Sequence, residues 1–179
     1  MKSTLSIADH IALSQNRWLT MLIADFNHRQ GARYVELLNR LGISRDSLGR
    51  TLEAALAHGW IARNAGYGHP LRPEYIVTDE GRRIAERAVA ISKAQAHLGL
   101  TPASLTRWGM PIIQVLRAGE ERFGQISHRL RPATSRSLSQ GLRSLEANAL
   151  VDRLVVESRP PFSRYTLTDS GILLANAAG

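Results

Sequence analysis

Two short polar runs carry the chemistry in this chain. The first is Ser44, Arg45, Asp46, Ser47, Arg50 and Thr51, and the second is Thr134, Ser135, Arg136, Ser137, Ser139 and Gln140. An Arg fork matches the guanine edge, a Gln amide matches adenine, and Ser or Thr can hold a phosphate oxygen. Asp46 opposes phosphate, so a salt bridge to a neighbouring Arg is its other role. The alternative for every one of these residues is a solvated polar face. No side chain here has the makings of a catalytic or metal site. The six His are scattered without a His-x-x-x-His pair, Cys is absent, and no GxxxxGK[ST], nucleophile elbow or paired carboxylates occur. No enzyme activity, cofactor or metal is expected.

Each run needs a helix to present it. In the first, Leu48, Leu52, Ala55 and Leu56 recur at spacings of three and four, which makes one apolar stripe. Ser44 is a good N-cap, since its hydroxyl can accept from a free amide of the first turn. All six polar residues of the run, Thr51 included, are expected to face outward. A second helix, Arg33 to Leu41, precedes it across the Gly42-Ile43 turn. The pair outlines a helix-turn-helix. Upstream, Arg17 to His28 reads as a buried helix and Ser3 to Leu13 as a short one. Downstream, Gly59 ends the helix. Two strands near 60–64 and 74–77 flank a loop at 66–70, and Thr78-Asp79-Glu80-Gly81 caps a helix running to about Leu98. Thr101-Pro102 is expected to open another helix.

From Arg107 the pattern repeats. Arg17-Trp18 matches Arg107-Trp108, 90 positions on; Arg33-Tyr34 matches Arg122-Phe123 at 89, and the register returns to 90 at Ser47-Leu48 and Ser137-Leu138. Arg63, Pro70 and Tyr75 match Arg153, Pro160 and Tyr165, and Thr78-Asp79-Glu80-Gly81 matches Thr168-Asp169-Ser170-Gly171. Identities at turns, caps and strands, in register, mark an internal duplication. Each copy reads as a helix-turn-helix followed by a hairpin, which is a winged helix. The expected fold is mainly α with small β-hairpins (α+β): two tandem winged helix-turn-helix domains, 1–100 and 101–179, forming a pseudo-dimer.

Composition agrees. The 179 residues are 44% hydrophobic, enough for a core, and carry a net charge of +8. Such a balance favours polyanions, nucleic acid before an acidic membrane surface. Of the 23 basic residues only Lys2 and Lys93 are Lys. That bias suits bidentate recognition of phosphate and guanine; a GC-rich coding genome would produce it equally. Without Cys there is no disulfide or thiol switch. Neither a signal peptide nor a membrane-spanning run appears, so a cytoplasmic, nucleoid-associated protein is expected, with no membrane partner.

These features resemble the HxlR-type winged helix-turn-helix regulators within the broader MarR-like group. The residues that carry the resemblance are Arg-Trp opening a core helix, Arg-aromatic opening the next, the Ser-rich third helix with Leu48 or Leu138, the Pro-bearing wing, and Tyr-x-x-Thr-Asp-x-Gly closing it. It covers roughly Arg17 to Glu86 and Arg107 to Ala175. It implies a sequence-specific, double-stranded DNA-binding transcription regulator, a repressor in the expected case. Family members resemble single-copy homodimers, and several carry an N-terminal redox Cys; this chain holds two unequal copies and no Cys.

DNA contacts are accordingly expected from Arg33, Ser44, Arg45, Ser47, Arg50, Thr51, His69 and Arg72 in the first copy. In the second they are expected from Arg122, Thr134, Ser135, Arg136, Ser137, Gln140, Arg159 and Arg164. Tyr67 joins the first wing. Arg159 precedes Pro160-Pro161 on a stiff tip. Backbone contact and a merely exposed turn remain alternatives for the wings, as do phosphate contact and structural ion pairing for Arg33 and Arg122. Trp18, Trp60 and Trp108 read as core. Val89, Ile91, Ala94 and Leu98, with the N-terminal segment, are expected to glue the halves together; a plain linker helix is the other reading. One chain supplies two reading heads, so a monomer with pseudo-two-fold symmetry and a homodimer are both open. A small-molecule effector between the halves is open too, and nothing in the sequence names it. The rival class is a chromosome-segregation protein resembling segregation and condensation protein B, whose tandem winged helices bind protein. Such proteins tend to be acidic, which the +8 charge opposes.

Overall fold

The computed structural model describes residues 4–64 and 74–179. The first copy comprises α1 (Ile7–Ser14), α2 (Leu19–Asp25) with a 3-10 turn at Phe26–His28, β1 (Gly31–Ala32), α3 (Tyr34–Leu41), α4 (Arg45–Ala57), β2 (Ile61–Arg63), β3 (Tyr75–Val77) and α5 (Asp79–His97). The second comprises α6 (Gly109–Arg117), α7 (Phe123–Arg129), α8 (Ser135–Ala147), β4 (Val151–Val156), β5 (Phe162–Leu167) and α9 (Asp169–Ala178). The first sheet is antiparallel in the order β1-β3-β2, and the second is the β4-β5 hairpin, with Arg153 opposite Tyr165 as Arg63 is opposite Tyr75.

Local chemistry sets these boundaries. Ser6 and Asp9 form a reciprocal capping box at the start of α1, 3.1 Å and 2.9 Å. The Ser47 amide donates to the Ser44 hydroxyl at α4 and the Ser137 amide to the Thr134 hydroxyl at α8, both at 3.2 Å. Behind each helix the stripe is buried: Leu48, Leu52 and Ala55 in α4, Leu138, Leu142 and Leu145 in α8. The expected helix at Thr101-Pro102 is instead a single turn. Ser144 Oγ of α8 and Nδ2 of Asn148, its C-cap, both donate to the Ser104 carbonyl at 3.1 Å, so an oxygen that would continue a helix is taken by the neighbouring element. The pairing of β1 with β3 also goes beyond the sequence reading. Two residues between helices carry no periodicity.

The Thr-Asp-x-Gly motifs explain themselves. Thr78 Oγ1 accepts from the Gly81 amide at 3.0 Å and donates to the Gly59 carbonyl at 2.6 Å; Thr168 does the same with Gly171 at 3.1 Å and Ala149 at 2.7 Å. The glycine lets the helix lie against the strand entry. A Cβ on Gly81 would sit 1.9 Å from the Trp60 carbonyl oxygen, and one on Gly171 would sit 2.1 Å from that of Leu150.

The halves share one hydrophobic core. α5 packs against its counterpart α9, and α1 reaches over to α6 of the other copy. The N-terminal segment therefore joins the halves as expected. Ile91 and Ala94 of α5 are buried, with Leu98 partly so. Arg83 ties α1 to α5 by bonding Asp9 at 3.2 Å and Glu80 at 2.6 Å.

At the α1–α6 seam His10 is buried, and among the described residues neither ring nitrogen has a hydrogen-bond partner. Burial pushes its pKa down to about 4; Asp9 works against this and Arg117, across the seam, adds to it. The unfolded chain binds the proton first, so stability present above pH 6.5 is lost as pH falls toward 4. The loss should reach about 3 kcal/mol. Thermal melts between pH 7 and 4 should show this slope reduced in His10→Leu. A second expectation concerns the end of α8. Ala149 stands at φ 53° where the first copy has Gly59 at φ 67°. Ala149→Gly should stabilise by ~1 kcal/mol, and Gly171→Ala should destabilise by on the order of 3 kcal/mol, both read from urea unfolding.

Candidate nucleic-acid interface

Each copy presents the N-terminal half of its third helix outward. On α4, Arg45, Asp46 and Arg50 are exposed and Ser47 half-buried; on α8, Ser135, Arg136 and Gln140 are exposed and Ser137 and Ser139 half-buried. The caps Ser44 and Thr134 are also exposed. The first-turn amides that the caps leave free, and the positive end of the helix dipole, therefore stand beside hydroxyl and guanidinium groups, a surface suited to anions.

The two faces differ electrostatically. Arg50 is salt-bridged to Asp46 one turn back, both largely exposed. An exposed i,i+4 pair holds the fork loosely, so Arg50 remains recruitable. On α8 the matched positions are Arg136 and Gln140, so the acid becomes a base. Among the described residues no carboxylate lies within 4 Å of Arg45, Arg136 or Arg159. The angle of α4 is set from α3: Tyr34 Oη donates to the Arg45 carbonyl at 2.9 Å. Phe123 stands at Tyr34's place in the second copy and cannot make that bond.

Thr51 corrects the sequence expectation. It is fully buried, and its hydroxyl donates to the Ser47 carbonyl at 2.6 Å. It belongs to the packing stripe rather than the reading face. The matched position in the second copy is Gly141, also buried, with Ile112 2.8 Å from where a Cβ would stand.

Arg33 and Arg122 begin α3 and α7. The Arg33 guanidinium lies 3.7 Å from Glu36, while Arg122 stacks 4.0 Å over the Phe162 ring of the second hairpin. Arg164 is bound to Glu121, which keeps its guanidinium firmly charged and fastens the root of the hairpin. Arg159 is exposed beside Pro160 at the hairpin tip. Tyr67, His69 and Arg72 lie outside the described residues.

The sequence reading missed Arg17. Its guanidinium stacks on Trp18, 5.2 Å from the ring centroid, and it borders a polar depression with Asn16, Ser47 and Arg50. It therefore extends the charged face of α4. Arg107 repeats the stacking on Trp108 at 5.3 Å. The Arg-Trp repeat is legible in the sequence, where its pattern fits the start of a core helix.

The HxlR-like helix-turn-helix model matches residues 13–98 and again 105–178. The chain belongs to the HxlR-like helix-turn-helix family. The curated relatives it matches are HTH-type transcriptional regulators. It is 37% identical over 68 residues to the HTH-type transcriptional regulator YodB of Bacillus subtilis, covering 38% of this chain and 61% of that protein. It is 35% identical over 65 residues to an uncharacterized HTH-type regulator of Methanothermobacter thermautotrophicus, covering 36% and 50%. It is 32% identical over 66 residues to YtfH of Escherichia coli K12, covering 37% and 52%. The chain thus spans about half the length of the curated relatives it matches. Among solved structures, a MarR-family transcriptional regulator from Enterococcus faecalis V583 aligns at 30% identity and TM-score 0.40, covering 49% of this chain and 74% of that one. Diamide-treated YodB aligns at 32% and 0.38, covering 49% and 80%. Among the described residues no helix is long and apolar enough to cross a membrane.

The Asp46–Arg50 pair yields a sharp expectation. Asp46→Asn removes the one negative charge from the exposed face of α4's first turn. Affinity for random duplex DNA, read by fluorescence anisotropy, should rise about threefold, because one phosphate-repelling charge is gone while Arg50 keeps its own.

Proposed function

We propose that this chain binds double-stranded DNA sequence-specifically as a transcription repressor, with α4 and α8 as two unequal reading heads. One observation carries the proposal: two helix-turn-helix units expose equivalent N-terminal faces that differ at matched positions. Arg45, Asp46 and Arg50 of one face Ser135, Arg136 and Gln140 of the other. Equal heads read a palindrome; these read an imperfect one with dissimilar half-sites.

In this reading residues 1–100 and 101–179 each form one head, and the heads enter successive major grooves about 34 Å apart. Arg45, Arg50, Arg136 and Gln140 contact base edges. Ser44, Ser47, Thr134, Ser135 and Ser137 hold phosphate through hydroxyls and helix-terminal amides. Arg159 at the hairpin tip and Arg122 behind it follow the backbone. Arg33, Arg164, His69 and Arg72 act there as well, the first two as far as their ion pairs with Glu36 and Glu121 yield. The site is occupied by one chain, in the nucleoid of the cytoplasm, and repression follows from occupancy.

Selection of a duplex from random DNA, followed by anisotropy titration, tests this. The selected site should bind at least ~10³-fold more tightly than random duplex at physiological salt. Arg50→Ala should relax base preference in one half-site only, by about 1–3 kcal/mol. Equal affinity for selected and random duplex, or relaxation in both half-sites, contradicts the proposal.

A further inference from the structure

The second hairpin leaves one edge open. β4 has β5 as its strand neighbour, and the bridge from Arg164 to Arg122 lies on the far side of β5. Among the described residues the outer edge of β4 is therefore unpaired. The outward amides and carbonyls of its six residues form a template for another strand.

Exposed edges are ordinarily blunted by shortness, charge or Pro. In the first copy β2 has three residues, and Asn64 and Ala65 follow it in the sequence. The matched positions of the second copy are Leu154 and Val155, 62% and 58% exposed, with Val156 next. Neighbours in a strand point to opposite faces, so apolar side chains meet water on both sides of this hairpin. The core beneath it does not account for them.

The order of residues says what fits this edge. A second copy can add its own β4 antiparallel, related by a two-fold axis through the sheet. Directly opposed side chains share a face, so that axis passes through a residue. An axis at Arg153 opposes two guanidinium groups, and one at Val156 opposes Arg153 to Arg159. An axis at Leu154 sets Asp152 against Val156 and Arg153 against Val155. With the axis at Val155 every pair matches. Val155 meets its own copy, Leu154 meets Val156, Arg153 meets Glu157 and Asp152 meets Ser158. An apolar centre is then closed at each end by an opposite-charge pair. Arg153 and Glu157 are both exposed. Arg153 Nε donates to Ser163 Oγ at 3.0 Å, an exposed bond to a neutral hydroxyl that a carboxylate outcompetes.

We propose that the outer edge of β4 is a self-association surface, on which a second copy of this chain pairs its own β4 antiparallel about Val155. A contact of about five residues a side is small against the roughly 20–30 of a stable interface, so the pairing is weak and the chain stays single when dilute. The proposal is independent of the DNA-binding reading.

Sedimentation equilibrium of the full chain tests it. Monomer and dimer should exchange, the dimer gaining at high micromolar concentration. Val155→Lys, which places two ammonium groups at the axis, should weaken the dimer about tenfold or more. Arg153→Glu should weaken it about threefold or more by opposing carboxylates at both ends, and adding Glu157→Arg should restore it to within about twofold. All three positions are exposed, so the variants keep the fold, which unchanged circular dichroism melts verify. A monomer at every concentration, or a dimer indifferent to Val155→Lys because it forms through another face, overturns the proposal. Failure of the charge exchange to restore pairing overturns the axis at Val155 and the proposal with it.

Discussion

The structure hangs on one side-chain oxygen in each half. Thr78 and Thr168 accept an amide hydrogen from the first turn of α5 or α9 and donate to the carbonyl just beyond α4 or α8. Their own amides bond the Trp60 and Leu150 carbonyls at the strand entries. The third helix, the hairpin and the seam helix are thereby pinned at one point. Gly81 and Gly171 permit it, since any Cβ there would collide with the strand-entry carbonyl. The seam helices α5 and α9 pack on each other, so this point also fixes one head relative to the other. A loose joint here would leave two heads without a defined spacing, and spacing is what a two-headed reader depends on.

Upon that common frame the surfaces diverge. Core and cap positions repeat between the copies, while the exposed positions of the third helices do not. An acid at Asp46 is a base at Arg136, and an Arg at position 50 is a Gln at position 140. Packing tolerates little change at the stripe, as Thr51 and Gly141 show by both being small and buried. Solvent-facing positions carry no such limit and are free to specialise.

Most of this architecture was legible in the sequence because the duplication supplies an internal control. A Thr-Asp-x-Gly that recurs in register must be a cap, and a Leu stripe that recurs must be core. The departures have physical causes. Thr51 is polar by type, but a Thr on a helix can satisfy its hydroxyl on the carbonyl one turn back and then be buried. The turn at Thr101-Pro102 fails to become a helix because α8 side chains claim the Ser104 carbonyl, a long-range contact that no local pattern records. Arg17 looked like the flank of a core helix; only the packing of α2 against α4 brings it beside Ser47 and Arg50.

The central claim is that one chain carries both reading heads. Hydroxyl-radical footprinting on a selected duplex, with the mass of the complex determined by native mass spectrometry, tests it most directly. The account predicts one chain per duplex and two protected windows about one helical turn apart on the same face of the DNA. A single protected window for one bound chain, or two windows that appear only when two chains are bound, would contradict it.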